Sequence, residues 1–134
     1  MSGRPHAQRQ RALAAIAVSC MVTIAAGCRG DRIDRGSPAA TGGDVQRGAQ
    51  LIRSIGCGRC HSIPGIRGAD GAVGPPLTSF ARRTYIAGQL PNSPDNLVRW
   101  LVDPPAVEPG TAMPALGLSA QQARDIAAYL YAST

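Results

Sequence analysis

The chain has 134 residues, 44% of them apolar and 16% charged, with a formal net charge of +6, which describes one globular domain rather than a disordered chain. Aromatic residues make up only 4%, with Phe80 the sole Phe and Trp100 the sole Trp, so the large side chains that normally fill a small core are lacking. All fourteen basic residues are Arg, and they form neither a dense stripe nor a run interleaved with aromatics, so no nucleic-acid footprint is present.

Residues 1–11 carry Arg4, Arg9 and Arg11 and no acid, and Ala12 to Ala26 form an apolar run broken only by Ser19, Cys20 and Thr23. A basic stretch followed by an apolar one is the pattern of a secretory signal, expected here over residues 1–27. The run falls short of the roughly 20 residues that span a bilayer, so cleavage is expected rather than a permanent helix anchor. It ends in Ala25-Ala26-Gly27-Cys28, which resembles the lipobox of bacterial lipoproteins, in which the Cys is lipidated; an ordinary cleavage site beside an incidental Cys28 is the other reading. Residues 28–43 are polar and Gly-rich without hydrophobic period and are expected to be a flexible tether, leaving 44–134 as the folded domain.

Asp44 is placed to cap a first helix in which Val45, Gly48, Ile52 and Ile55 recur at helical spacing up to Gly56. From Gly56 to Pro76 the Gly and Pro content permits neither a long helix nor a strand, so this stretch must wrap around something to stay ordered. Thr78 is expected to cap a short helical turn through Arg82. Ser93 caps a clearer helix, with Pro94 at its first position and Leu97, Trp100 and Leu101 on its buried face, which Pro104 and Pro105 end. Pro104 to Gly117 is again loop. Ser119 to Gln122 forms a capping box for a last helix with Ala123, Ile126, Ala127 and Leu130 on one side. No segment alternates as a strand does, so the fold expected is all-α, about four short helices with long loops.

Cys57-Gly58-Arg59-Cys60-His61 is the signature of covalent haem attachment. Two thiols three residues apart lie on one side of a helical turn and can add to the two vinyl groups of a haem, while the next residue aims its imidazole at the iron. A disulfide, a thioredoxin-like redox pair and half of a zinc site compete. The redox pair lacks a βαβ setting, and zinc lacks ligands, because outside the leader only Cys28 and no second His remain. The disulfide survives but leaves His61 without a role. His61 is expected to bind iron through one nitrogen while the other donates to a carbonyl in the next loop, for which Pro75 is well placed; a simple turn explains this proline equally well. With Lys absent and His6, Met1 and Met21 in the leader, a second iron ligand of the usual kinds can only be Met113. Core filler is the other reading of a lone Met, although Met113 sits in the stiff loop Pro109-Gly110-Thr111-Ala112-Met113-Pro114 rather than on a helix face.

Together these residues resemble the class I cytochromes c, over Asp44 to Tyr131: the Gly48 helix, Cys57 to His61, Gly74-Pro75-Pro76-Leu77, Asn96-Leu97 to Pro104, Pro109 to Met113, and the Ile126-to-Leu130 helix. The resemblance implies a helical shell in which the first and last helices cross with Gly48 meeting the Tyr129 region. It also implies one haem c, the Pro75 carbonyl receiving the His61 proton, and Met113 as distal ligand. More narrowly, Arg82 to Gly88 and Leu90 to Leu97 look like the cytochrome c domain of haem-copper oxidase subunit II, although the copper-binding portion of such subunits has no counterpart in this sequence. By that likeness Arg82, Arg83, Trp100 and Thr111 are candidates to hold the propionates or tune the Met113 side, with surface charge or core packing as the alternative for each. The function expected is a non-enzymatic single-electron carrier on the periplasmic side of a bacterial membrane, held there by lipid on Cys28. It would take electrons from a quinol-oxidising complex or dehydrogenase and pass them to a terminal oxidase, with no small-molecule substrate. A fixed cytochrome subunit of a dehydrogenase or reductase complex, or a haem ligand sensor if Met113 is off the iron, are the rivals.

Overall fold

A computed structural model describes residues 38–133; the leader and Cys28 lie outside them. Four α-helices carry the fold: α1 (Val45–Ile55), α2 (Pro94–Val102), α3 (Pro104–Val107) and α4 (Ala120–Ala132). Local chemistry starts and stops α1, α2 and α4 where expected. Asp44 accepts the Arg47 N–H to open α1, and Gly56 closes it at a φ of 85°, a left-handed conformation that glycine adopts without strain. Ser93 accepts the Asn96 N–H ahead of α2, and both bonds of the Ser119–Gln122 capping box form ahead of α4.

The α1–α4 crossing is the main packing event. It depends on Gly48, where a Cβ would lie 2.0 Å from the Asp125 carbonyl oxygen and 3.0 Å from the Tyr129 Cβ. Because Gly48 is bare, Ile52 packs against Ala123, Ile126, Ala127 and Leu130, all at most 2% exposed. The buried Asp125 carboxylate fastens the same crossing. It accepts the Asp44 N–H at 2.8 Å, Arg47 Nε at 3.1 Å and Gln121 Nε2 at 3.1 Å. Burial pushes this carboxyl up, but the bonds from Arg47, the Asp44 N–H and Gln121 pull harder and leave it below its ordinary value.

α2 packs on α4 through Leu97 and Leu101. The few aromatics concentrate nearby, where Phe80 and Tyr131 meet edge to face at 5.8 Å. The Tyr131 phenol, pushed up to about 12 by burial, donates to Asn92 Oδ1 at 2.7 Å, while Asn92 Nδ2 donates to the Phe80 and Arg83 carbonyls. One buried amide thus ties three segments of chain together.

Four details differ from the sequence reading. Pro38–Thr41 form a 3-10 turn against α4, with Thr41 buried, so ordered structure reaches back into the segment expected as tether. A Cβ on Gly43 would lie 2.1 Å from the Arg124 carbonyl oxygen, and this closeness seats the segment. The turn expected after Thr78 is a 3-10 helix over Phe80–Arg82 preceded by Ser79 at a φ of 51°, with no side-chain cap. Tyr85–Ile86 (β1) and Leu90–Pro91 (β2) pair antiparallel, with positive φ at both Ala87 and Gly88 in the turn; strands of two residues are too short to show alternation. Finally, α2 ends before Pro104 as expected, but Pro104 and Pro105 then open α3 where loop was expected, because Asp103 accepts the Ala106 N–H.

Candidate functional site

The long loops enclose an apolar cavity of about 490 Å³, within the range that takes cofactor-sized ligands. A neighbouring pocket of about 60 Å³ shares Cys57, His61, Leu77, Phe80, Trp100 and Met113 with it and reaches Ile52 and Ile126 in the core. The loops are therefore shaped for an apolar occupant far larger than any side chain.

One tight turn presents the three residues of the signature. Gly56 ends α1, and Cys57–Arg59 turn as a 3-10 helix. The Cys57 carbonyl then accepts both the Cys60 and His61 N–H groups, at 3.2 and 3.0 Å. All three side chains belong to the cavity wall. Cys57 and Cys60 are free thiols, and burial pushes the Cys57 thiol up.

His61 is held from two sides. A Cβ on Gly74 would lie 2.3 Å from its Cε1, so only glycine lets the loop lie flat on the ring. Its Nδ1 is 2.8 Å from the Pro75 carbonyl oxygen. A carbonyl can only accept, so the proton sits on Nδ1 and the lone pair of Nε2 is left for a metal. Arg83 donates to the next carbonyl, that of Pro76, and its guanidinium stacks 5.3 Å from the Phe80 centroid. The two prolines are thereby pinned through consecutive carbonyls.

Trp100, Thr111 and Met113 line the same cavity. Thr111 Oγ1 accepts the Met113 N–H at 3.2 Å and so fixes the backbone that carries the thioether. Of the residues singled out in the sequence, Arg82 is not part of this wall and is exposed, because the 3-10 turn directs its neighbour Arg83 inward instead. The wall also contains residues that the sequence did not single out, among them Val73, Tyr85, Glu108 and Leu116. Val73, Tyr85 and Leu116 are the large apolar residues left exposed, at 80%, 56% and 38%, and their clustering appears only once the loops are folded. Glu108 carried one signal, as the lone acid in the Pro- and Gly-rich stretch before Met113.

A helical shell wrapped around an apolar hollow, with two thiols, an Nδ1-protonated imidazole and a thioether on its wall, defines a haem protein of the c type; the donor set fits that group. The Cytochrome c family model matches residues 45–133, and the chain belongs to that family. It is a class I cytochrome c related to oxidase subunit II. Cytochrome c oxidase subunit 2 of Alkalihalophilus pseudofirmus is 35% identical over 87 residues, covering 64% of this chain and 25% of that protein. The corresponding subunits of Bacillus subtilis and Bacillus sp. strain PS3 are 32% and 35% identical over 71 residues, covering 52% of this chain and 20% of each. The chain therefore spans a quarter or less of the length of these relatives. No solved structure matches it. Membership implies a covalently bound haem c and an electron-carrying role. Among the described residues no helix is long and apolar enough to cross a membrane.

Proposed function

We propose that this protein carries single electrons on one haem c, bound through thioethers to Cys57 and Cys60 and ligated by His61 and Met113. The observation that carries the reading is the bond between His61 Nδ1 and the Pro75 carbonyl, which leaves Nε2 as the free donor facing the cavity. When bound, the haem iron supplies a one-electron ferric/ferrous couple. The chain's own residues do the rest. Cys57 and Cys60 would hold the group covalently, each thiol adding S–H across a vinyl group, the sulfur to one carbon and the hydrogen to the other. Gly74 and Pro75 hold the imidazole in one orientation, and Thr111 holds the Met113 backbone. A Met113 thioether on the iron would favour the reduced state relative to a second imidazole, and the apolar walls would raise the potential further. With His61 and Met113 both holding the iron, no position would be open to a substrate, so the protein is proposed as a carrier and not as an enzyme. Trp100 would pack against the ring, and Arg83, which shares the cavity wall with Arg59, would be available to the propionates.

Export to the periplasmic side of a bacterial membrane, with lipid on Cys28, follows from the leader pattern. Because the relatives are oxidase subunits, a terminal oxidase is the acceptor proposed, with a quinol-oxidising complex or dehydrogenase as donor. Redox titration of the matured protein tests the core of this: one Nernstian step with n = 1 is expected, and the ferric protein should show the weak far-red band of methionine ligation. Rapid carbon monoxide binding by the reduced wild type would instead point to a ligand sensor.

A further inference from the structure

Glu108 has every polar group engaged. Its N–H caps α3 by donating to the carbonyl of Pro104, the first residue of that helix, and its carbonyl accepts the Thr111 N–H at 3.0 Å. One carboxylate oxygen accepts the Gly110 N–H, and the other accepts Gln89 Nε2 at 2.6 Å. Thr111, held in this way, accepts the Met113 N–H. Gln89 lies directly after the β1–β2 turn, where its own N–H returns to the Ile86 carbonyl. Tyr85, Ile86 and Ala87 of that hairpin, and Glu108 to Pro114 in part, form walls of the same cavity. The Gln89–Glu108 bond therefore joins two walls that are 19 residues apart in the chain.

We propose that Gln89 and Glu108 form a strap that positions Met113, so that the hairpin holds the thioether loop on the iron. The proposal rests on the reading of Met113 as distal ligand. The loop has no helix or strand of its own between α3 and α4. Displacing Met113 requires it to leave the cavity wall, and the strap is the side-chain bond that ties it to the hairpin. The carboxylate can only accept, which fixes the Gln89 amide with its NH₂ inward. Gln89 is exposed, so replacing it disturbs no core packing.

The test is exogenous imidazole binding to the ferric, haem-loaded full chain, followed by loss of the far-red band. Imidazole and Met113 are both neutral ligands, so a charge added at position 89 acts on this equilibrium mainly through the strap. Gln89→Ala is expected to raise imidazole affinity roughly threefold to tenfold, the worth of one ordinary net hydrogen bond, since solvent screens this exposed bond. Gln89→Glu sets two carboxylates against each other and should raise it further. Gln89→Lys restores a partner for Glu108 and should bring the affinity back to that of the wild type or below. Equal affinities in the wild type and in the Ala and Glu variants overturn the strap while leaving methionine ligation intact. A wild type without the far-red band before any imidazole is added removes Met113 from the iron, and the strap with it.

Discussion

Replacing Gly48 by Ala sets two effects of opposite sign against each other. Helix propensity alone makes Gly→Ala inside α1 stabilising by about 1 kcal/mol. The crossing opposes it, because the new Cβ would lie 2.0 Å from the Asp125 carbonyl oxygen and 2.7 Å from its carbon, both backbone atoms of α4. Carbon and oxygen tolerate about 3.3 Å, so the helices must part by roughly 1 Å. Gaps of that size forfeit a quarter to a half of each dispersion contact along the interface. Overpacking commonly costs about 1–3 kcal/mol, and here Ile52 and the Asp44–Asp125 bond lose their fit as well. The net expectation is destabilisation of about 2–4 kcal/mol, read as a fall of roughly 10–25 °C in the thermal midpoint of the matured protein. An unchanged or raised midpoint would refute the close crossing.

Acid should loosen the same crossing. The Asp125 carboxyl lies net below its ordinary value of 3.8, so its contribution to stability is complete above that value and disappears as pH falls through the lower folded one. Urea midpoints of the wild type should hold steady down to pH near 4 and drop below it, and Asp125→Asn should be weaker at pH 7 and lack that drop. Gly74→Ala drives a Cβ to within 2.3 Å of His61 Cε1, so a matured variant should keep its haem through the thioethers but show displaced axial ligation in its visible spectrum. Met113→Ala should abolish the far-red band and open the reduced protein to carbon monoxide; besides Met113 the sequence holds only Met1 and Met21, both in the expected leader, so no rescue by another thioether is expected.

Much of the fold was legible because caps are local. Asp44, Ser93 and Ser119 each bond a backbone N–H three residues on, a relation that sequence spacing states directly. The two thiols and the imidazole are likewise set by one turn. What could not be read is what distance in sequence conceals. The partners of Asp125 on Asp44 and Arg47 lie 81 and 78 residues away, so an acid on a helix gave no hint of its burial. Asn92 reads as a turn residue, yet it bonds Tyr131, 39 residues on. The hairpin needs only two residues per strand and a turn through Ala87, which periodicity cannot register. Arg82 and Arg83 are equivalent as letters, and only the 3-10 turn decides which of them faces the cavity.

The protein expressed in a bacterial host with full cytochrome c maturation should be denatured, freed of all non-covalent ligands and weighed intact. A mass increased by one haem, with the pyridine haemochrome spectrum of two saturated vinyl positions, is the expected result, and Cys57→Ala together with Cys60→Ala should abolish both. A colourless polypeptide carrying two unmodified thiols at Cys57 and Cys60 would contradict it.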